Sequence, residues 1–157
     1  MGRDGRHDFD FLFGKWNGHQ RRLRERLNNC TEWEEFESST DARPILDGIG
    51  NVDEATMQRE SGVLRGFTLR LYNPATEEWS LYWATGLGGQ VGAPMVGRFD
   101  GNGRGEFYDF EPFAGIHIFS RFIWTVTGAD TCRWEQAFSA DAGKSWETNW
   151  TMDFTRS

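Results

Sequence analysis

The stretch "WETNWTMDF", residues 146–154, decides the fold because apolar and polar side chains alternate along it. Trp146, Trp150, Met152 and Phe154 share one face with Thr148. The intervening positions carry polar or acidic side chains: Glu147, Asn149, Thr151 and Asp153. Successive side chains of an extended strand point to opposite faces. The stretch therefore predicts a strand with one buried face and one solvated face.

The same period of two recurs along the chain and predicts ten strands. Their approximate ranges are residues 15–27, 31–39, 45–57, 64–73, 78–85, 95–100, 105–110, 117–127, 131–139 and 146–155. The connections, such as "NPATEE" and "DGNGRG", have the composition of tight turns. Strands joined by tight turns, without helices between them, indicate an antiparallel meander.

The meander is expected to close on itself, because an open sheet would leave two unpaired edges. A barrel of about eight strands has room for packed side chains or one small ligand. Ten strands favour a cavity. We therefore predict an all-β fold, an antiparallel up-and-down barrel of about ten strands with a short N-terminal helical turn.

One segment conflicts with this pattern. The stretch "HQRRLRERLNN", residues 19–29, consists of good helix formers, places Leu23 and Leu27 four residues apart and ends in an Asn pair. The whole-chain pattern favours a strand, and the alternative is an arginine-rich surface or binding helix.

The aromatic stretch "DFDFLFGKWNG", residues 8–18, surrounds Gly14 with Phe and Trp and is predicted to plug one end of the barrel. Its Gly14-Lys15-Trp16 tripeptide resembles the GxW motif of lipocalin-like (calycin) barrels. In those families a short helical turn leads into a strand whose Trp closes one end of the barrel. The resemblance thus implies the same role for Trp16.

The chain also resembles bacterial lipocalin-like proteins that begin with DFLxGxW and end with WExxFSxDGGxxWExNW. Here these motifs read "DFLFGKW", residues 10–16, and "WEQAFSADAGKSWETNW", residues 134–150. This resemblance covers nearly the whole chain and implies a fold but no activity. The chain lacks the Thr-Asp-Tyr motif and the disulfide pattern of secreted lipocalins, so their role in hydrophobic transport is not implied.

Length and composition narrow the class of protein. The 157 residues fit one domain, 1–157, whose first seven residues are expected to be flexible. The net charge is −7, which gives no reason to expect a nucleic-acid partner. Cys30 and Cys132 cannot form a disulfide framework. No stretch reaches the roughly 18 apolar residues of a membrane span, and no secretory leader is visible. We therefore expect a cytoplasmic protein without a membrane partner.

Three motifs favour structural interpretations. The stretch "SADAGKSW", residues 139–146, fits the Asp box and predicts a hairpin rather than glycosidase chemistry. The loop "TGLGGQVGAPMVG", residues 85–97, fits neither phosphate-binding template and is expected to cover the barrel mouth. His7, His19 and His117 form no ligand pair, so no metal and no cofactor is predicted.

Polar residues that alternate onto an apolar face are the candidates for a site. Phasing from Trp16 places Arg22 and Arg24 inward, and phasing from Trp33 places Glu35 inward, together with Glu37. The complete set of candidate ligand-binding residues is Arg22, Arg24, Glu35, Arg70, Tyr72, Trp83, Trp124 and Trp150. Buried charges are costly unless paired, so we expect Glu35 to pair with Arg22 or Arg24 inside the barrel. Whether that network only fills the lumen or faces a ligand is left open.

Arginines beside tryptophans predict a small-molecule partner that is amphipathic and anionic, because a guanidinium binds carboxylate or phosphate and indole rings bind an apolar body. Two alternatives stay open. The chain could be an isomerase or hydrolase whose acid or base is a lumenal Glu35, Glu37 or Glu135. It could also be an interaction module, such as a homodimer formed through an aromatic patch.

Overall fold

The computed structural model describes residues 2–157 and confirms the all-β barrel of ten antiparallel strands. The strands are β1 (Gly14–Leu23), β2 (Trp33–Ile45), β3 (Gly50–Arg59), β4 (Gly62–Asn73), β5 (Glu78–Thr85), β6 (Met95–Phe99), β7 (Arg104–Phe113), β8 (Ile116–Gly128), β9 (Thr131–Ser139) and β10 (Glu147–Arg156). Two single 3-10 turns, Asp10–Leu12 and Leu46–Gly48, accompany them. Each strand pairs with its neighbours in sequence, and β1 also pairs with β10 to close the barrel.

Several strand limits differ from the sequence prediction. Strand β1 ends at Leu23, and the chain then runs through irregular bends in which Leu27 and Asn29 take positive φ, so residues 19–29 form neither one strand nor a helix. Strand β2 continues through "DARP", and the turn falls instead at Leu46–Gly48, where Asp47 has φ 56°. Turn-forming residues therefore do not end β2, because its pairing with β3 continues through them.

The stretch "WETNWTMDF", residues 146–154, contains an irregularity that its alternation of apolar and polar residues does not predict. The pairing of β10 with β9 shifts register between Thr148 and Trp150. Trp146 precedes β10 and packs on the outer side chains Tyr108 and Arg121, whereas Trp150 points into the barrel. A bulge inserts one residue and so changes which face the following side chains occupy.

The N-terminal aromatic segment plugs one end of the barrel, here called the closed end. Phe9, Leu12 and Trp16 are fully buried in the main hydrophobic cluster. The ring of Phe9 packs edge-on against Trp79 at a centroid distance of 5.0 Å, and the Trp16 indole N–H donates to the Leu12 carbonyl at 2.8 Å. The predicted plug is confirmed.

The barrel wall is thin beside β6. This strand has five residues, and its pairing with β5 is limited to three pairs from Trp79↔Gly97 to Leu81↔Met95. In the described chain, no strand lies between the later parts of β5 and β7, residues 82–85 and 109–113. The connection 86–94 passes this region at the opposite, open end of the barrel.

Within residues 2–157, no helix is long and apolar enough to cross a bilayer.

Candidate ligand cavity

A cavity of about 700 Å³ lies between the plug and the open end. That volume is typical of a site for one small molecule. Its walls are mainly aromatic, formed by Trp83, Phe113, Phe122, Trp124, Trp134, Phe138, Trp150 and Phe154. A smaller cavity of about 200 Å³ lies at the closed end beside Tyr72, where an Arg3–Asp8 ion pair borders it.

The tryptophan walls are held by packing against one another. Trp134 and Trp150 meet edge-to-face at 5.4 Å between ring centroids, and Trp124 stacks on Phe154 at 5.9 Å. Such pairs stabilise a fixed ring orientation beyond the area they bury. The aromatic walls are therefore preformed for a flat or aliphatic ligand body.

Trp83 is the most exposed of these rings, at 38%, and its position depends on a glycine. A Cβ atom at Gly66 would lie 2.1 Å from the Trp83 ring, so the ring lies across the bare backbone of β4. The neighbouring wall is the thin region beside β6. Trp83 thus forms the edge of the cavity at its weakest wall.

Three arginines converge where the cavity meets the open end, and only one of them has a carboxylate partner. Arg59 pairs with Glu34 at 2.6 Å. Arg22 and Arg26 line the cavity and form no ion pair with any residue from 2 to 157. The Arg22 guanidinium lies 5.1 Å from the Trp150 ring centroid, and that of Arg26 lies 5.6 Å from the Phe113 ring centroid. We call Arg22, Arg26 and Arg59 the mouth arginines.

The positive charges of the mouth arginines repel one another. Burial, followed by the charges of Arg26 and Arg59, lowers the pKa of Arg22 to about 10. Burial and the charge of Arg59 likewise lower the pKa of Arg26. Like charges held together at a partly desolvated site favour the binding of an anion between them.

A fourth arginine, Arg70, lies at the cavity floor and is neutralised. Its Nη2 contacts Asp53 Oδ2 at 2.5 Å and its Nη1 donates to Asn51 Oδ1 at 2.9 Å. The guanidinium lies 5.2 Å from the ring centroid of Phe9 in the plug. The floor therefore combines a buried ion pair with the aromatic plug.

A pair of carboxyl groups faces the cavity from β7. Asp109 and Glu111 both line it, and neither pairs with a basic residue within the part of the chain that the structure describes. Burial, followed by the neighbouring Asp109 carboxylate, raises the pKa of Glu111. Asp109 and Glu111 thus line the same cavity as Arg22 and Arg26, and none of these four side chains forms an ion pair with another in the described chain.

Five of the predicted residues line this cavity: Arg22, Arg70, Trp83, Trp124 and Trp150. Tyr72 does not, because it is buried at the closed end, where its hydroxyl accepts a hydrogen bond from the Gly5 N–H at 2.9 Å. Trp16 belongs to the plug beneath the cavity.

The inward placement of Arg24 and Glu35 is wrong. Arg24 follows the end of β1 and pairs with Glu60 at the surface, at 2.7 Å. The Glu35 side chain is 56% exposed and contacts His19 on the outer face. Glu37 also contacts His19 there, so the expected pairing of Glu35 with an arginine inside the lumen does not occur. The inward acidic residue of β2 is Glu34, one position earlier.

Sequence reasoning missed Arg26, Asp53, Asp109 and Glu111. The last two could have been found, since they alternate in phase with Phe107 and Phe113 along β7. Arg26 could not, because it lies in an irregular loop held by a hydrogen bond from the Leu27 N–H to Glu147 at 2.9 Å. Residues 2–157 contain no cluster of three His, Cys, Asp or Glu side chains suited to a metal ion.

Comparisons with known proteins show similarity of fold only. No protein-family model matches the chain. No curated protein matches it either. A solved structure of EF1p2_mFAP2b bound to DFHBI is similar at a TM-score of 0.50 and 9% sequence identity, over 98% of this chain and 99% of that one. The closed ten-strand barrel is consistent with the lipocalin-like fold that the sequence motifs imply.

Proposed function

We propose that the protein binds a small amphipathic anion in the cavity, with the anionic group at the mouth arginines and the apolar body between the tryptophans. The unpaired charges of Arg22 and Arg26 carry this proposal. Burial of a cation is unfavourable without an ion-pair partner, and neither guanidinium has one among residues 2–157, so an anionic group of a ligand would stabilise both. The similar structure that contains DFHBI supports a small-molecule role for such a barrel.

A pair of fluorescent probes tests the proposal. 8-Anilinonaphthalene-1-sulfonate (ANS) and N-phenyl-1-naphthylamine (NPN) share an aromatic body, but only ANS carries a negative charge. We expect ANS to bind more tightly than NPN, and the preference to disappear in the R22Q/R26Q variant. Equal affinities for both probes in the wild-type protein would contradict the proposed anion site.

The matched control for this experiment is Arg21→Gln. Arg21 immediately precedes Arg22 on β1 but points outward, where its guanidinium lies over the Trp33 ring at 4.7 Å from the centroid. Its replacement removes one positive charge without changing the cavity. The preference for ANS should therefore persist in this variant.

An enzymatic role is a second candidate, favoured by Glu111. This carboxyl faces the cavity without an arginine partner in the described chain, and its pKa is raised, as a general acid or base requires. Glu35 and Glu37 contact His19 on the outer face, so neither is a candidate acid or base in the cavity. Glu135 is not one either, because its neighbour Gln136 is the inward side chain of β9. Turnover of an ester or ketone library that is lost in E111Q would support this role.

A homodimer stays a prediction. Tyr108 and Phe110 are exposed on the outer face of β7, and Phe110 packs against Phe119 at 5.1 Å. Light scattering after size-exclusion chromatography tests whether this aromatic surface joins two copies. We also retain the cytoplasm as the proposed location, because the free thiols of Cys30 and Cys132 suit a reducing compartment.

A further inference from the structure

The floor of the cavity contains a hydrogen-bond donor without a partner. Arg70 is only 3% exposed and lines the cavity directly above the plug. Asp53 and Asn51 occupy its two terminal nitrogens, but its Nε–H has no partner among residues 2–157. A buried N–H group without an acceptor costs about 1–3 kcal/mol. An acceptor atom seated on the floor would remove this cost.

Two further buried donors without an acceptor in the described chain belong to residues of the cavity wall. The Oε1 atom of Gln20 accepts a hydrogen bond from the Trp150 indole at 2.9 Å, which leaves its Nε2 group as the free end of the amide. Gln20 is fully buried, and this Nε2 has no partner in the described chain. Arg22 Nε is a third such group. The buried unpartnered polar atoms of the cavity-lining residues are therefore all donors, and they complement acceptor atoms of a ligand, whereas the acceptors that face the cavity, the Asp109 and Glu111 carboxyl groups, lie on β7.

The charge at the floor decides the kind of acceptor. Asp53 already balances the charge of Arg70 in a buried ion pair. A second anion at that depth would leave an excess negative charge in a desolvated site, which is strongly unfavourable. A neutral oxygen would accept the hydrogen bond and keep the charges balanced. The floor therefore favours a carbonyl over a carboxylate.

The two polar regions lie at different depths. Arg70 lies 5.5 Å from the ring centroid of Trp124, which stacks on Phe154, and Phe154 pairs with Gly18. Gly18 precedes Arg22 by four residues along β1. At about 3.3 Å per residue this is roughly 13 Å along the strand. With the usual tilt of barrel strands, it corresponds to about 10 Å along the barrel axis.

We propose that Arg70 forms a second polar subsite, which binds a neutral carbonyl oxygen at the buried end of the ligand. The inference rests on the proposed function, because it takes the anionic end of the same ligand to lie at the mouth arginines. The ligand class is then an amphipathic acid with an apolar middle and a ketone or ester carbonyl near the end remote from its anionic group.

A series of ten-carbon acids tests the subsite by isothermal titration calorimetry: decanoate and its 5-oxo, 7-oxo and 9-oxo derivatives. In a purely apolar cavity every ketone would weaken binding, because it must lose its hydration. We expect 9-oxodecanoate to bind at least tenfold more tightly than 5-oxodecanoate and at least as tightly as decanoate. The infrared carbonyl stretch of bound 9-oxodecanoate should shift to lower frequency than that of the free ketone.

Arg70→Lys provides a second test, since lysine keeps a cation beside Asp53 but lacks the guanidinium Nε–H. The ratio of 9-oxodecanoate to decanoate affinity should fall by about tenfold in this variant. If the variant does not fold, the wild-type affinity profile and the infrared shift decide the question alone.

The failures of the two proposals are distinguishable. Decanoate binding with equal or steadily weaker binding of all three ketones overturns the floor subsite and leaves the proposed function intact. Binding of ANS without binding of any ten-carbon acid also overturns the subsite alone. If ANS and all the acids fail to bind, the proposed function fails and this inference fails with it.

Discussion

Arg22→Gln should weaken anion binding and at the same time stabilise the folded protein. Folding brings the Arg22 guanidinium into a half-buried position near two other arginines and lowers its pKa from an ordinary 12.5 to about 10. A base whose pKa falls on folding is less favourable in its charged form in the native state, so at neutral pH its charge opposes folding. A neutral glutamine removes that opposition.

Two effects set the magnitude. The shift corresponds to a few kcal/mol at most, and solvent that still reaches the side chain reduces it to about 1–2 kcal/mol. Loss of the contact between Arg22 and the Trp150 ring offsets about 0.5–1 kcal/mol. The net gain is about 0–1.5 kcal/mol, equivalent to a Tm increase of up to roughly 6 °C for a chain of this size.

The affinity for ANS should change in the opposite direction. A hydrogen bond between a guanidinium and an anion contributes about 1.5–3 kcal/mol, so its loss lowers affinity by about tenfold or more. Thermal unfolding of the ligand-free protein and ANS titration measure the two effects separately, with Arg21→Gln as the control that should change neither appreciably. A parallel loss of stability and affinity in Arg22→Gln would refute the reasoning, since it would mean that Arg22 is a structural residue.

Three further predictions concern the rest of the barrel. Asp53→Ala should destabilise the protein by about 3–5 kcal/mol in urea unfolding, because it leaves Arg70 buried without its counterion, whereas exposed Glu54→Ala should stay within about 0.5 kcal/mol. Glu34→Gln should lower the free energy of unfolding in urea by about 1–2 kcal/mol above pH 5, and this difference from wild type should vanish as pH falls towards 2. Hydrogen bonds from Arg59 lower the pKa of Glu34 to about 2, and they stabilise the fold only while the carboxylate is ionised. A difference that does not change with pH would contradict this. Iodoacetamide at pH 8 should modify native Cys30 but not Cys132, whose pKa burial raises to about 12, so mass spectrometry should show one adduct before unfolding and two after it.

The barrel could be predicted from sequence because its signal is local. Alternation and turn composition act over a few residues at a time, and ten such segments leave few architectures other than closure. The aromatic plug was also predictable, since Phe9, Leu12 and Trp16 precede or begin the first strand as a dense apolar group. The alternation, the turn composition and the aromatic group can all be recognised without knowing which residues pair across neighbouring strands.

The candidate site was predicted only in part, because whether a strand side chain points inward depends on the residue from which the alternation is counted. Trp33 was an unsuitable anchor for β2: it lies at the strand end on the outer face, beneath the Arg21 guanidinium. A shift of one residue in the counted alternation moves every side chain of the strand to the opposite face. Counting from Trp33 therefore places Glu35 inward, whereas the inward residue is Glu34. Arg26 reaches the cavity through an irregular loop, for which no periodicity exists to be read.

The plug also has a consequence for the order of folding. The Trp79 indole donates to the carbonyl of Gly5, 74 positions earlier in the chain, and Phe9 packs on Phe107 and Trp124, which lie further along still. Contacts between residues far apart in the chain require the closure of a long loop, so they are expected to form later than the strand pairs that are joined by tight turns. We therefore expect the N-terminal aromatic cluster to stay exposed to solvent until β7 and β8, which carry Phe107 and Trp124, have paired. Apolar surface that is exposed during folding is prone to aggregation, so this segment is a candidate site for both aggregation and chaperone binding.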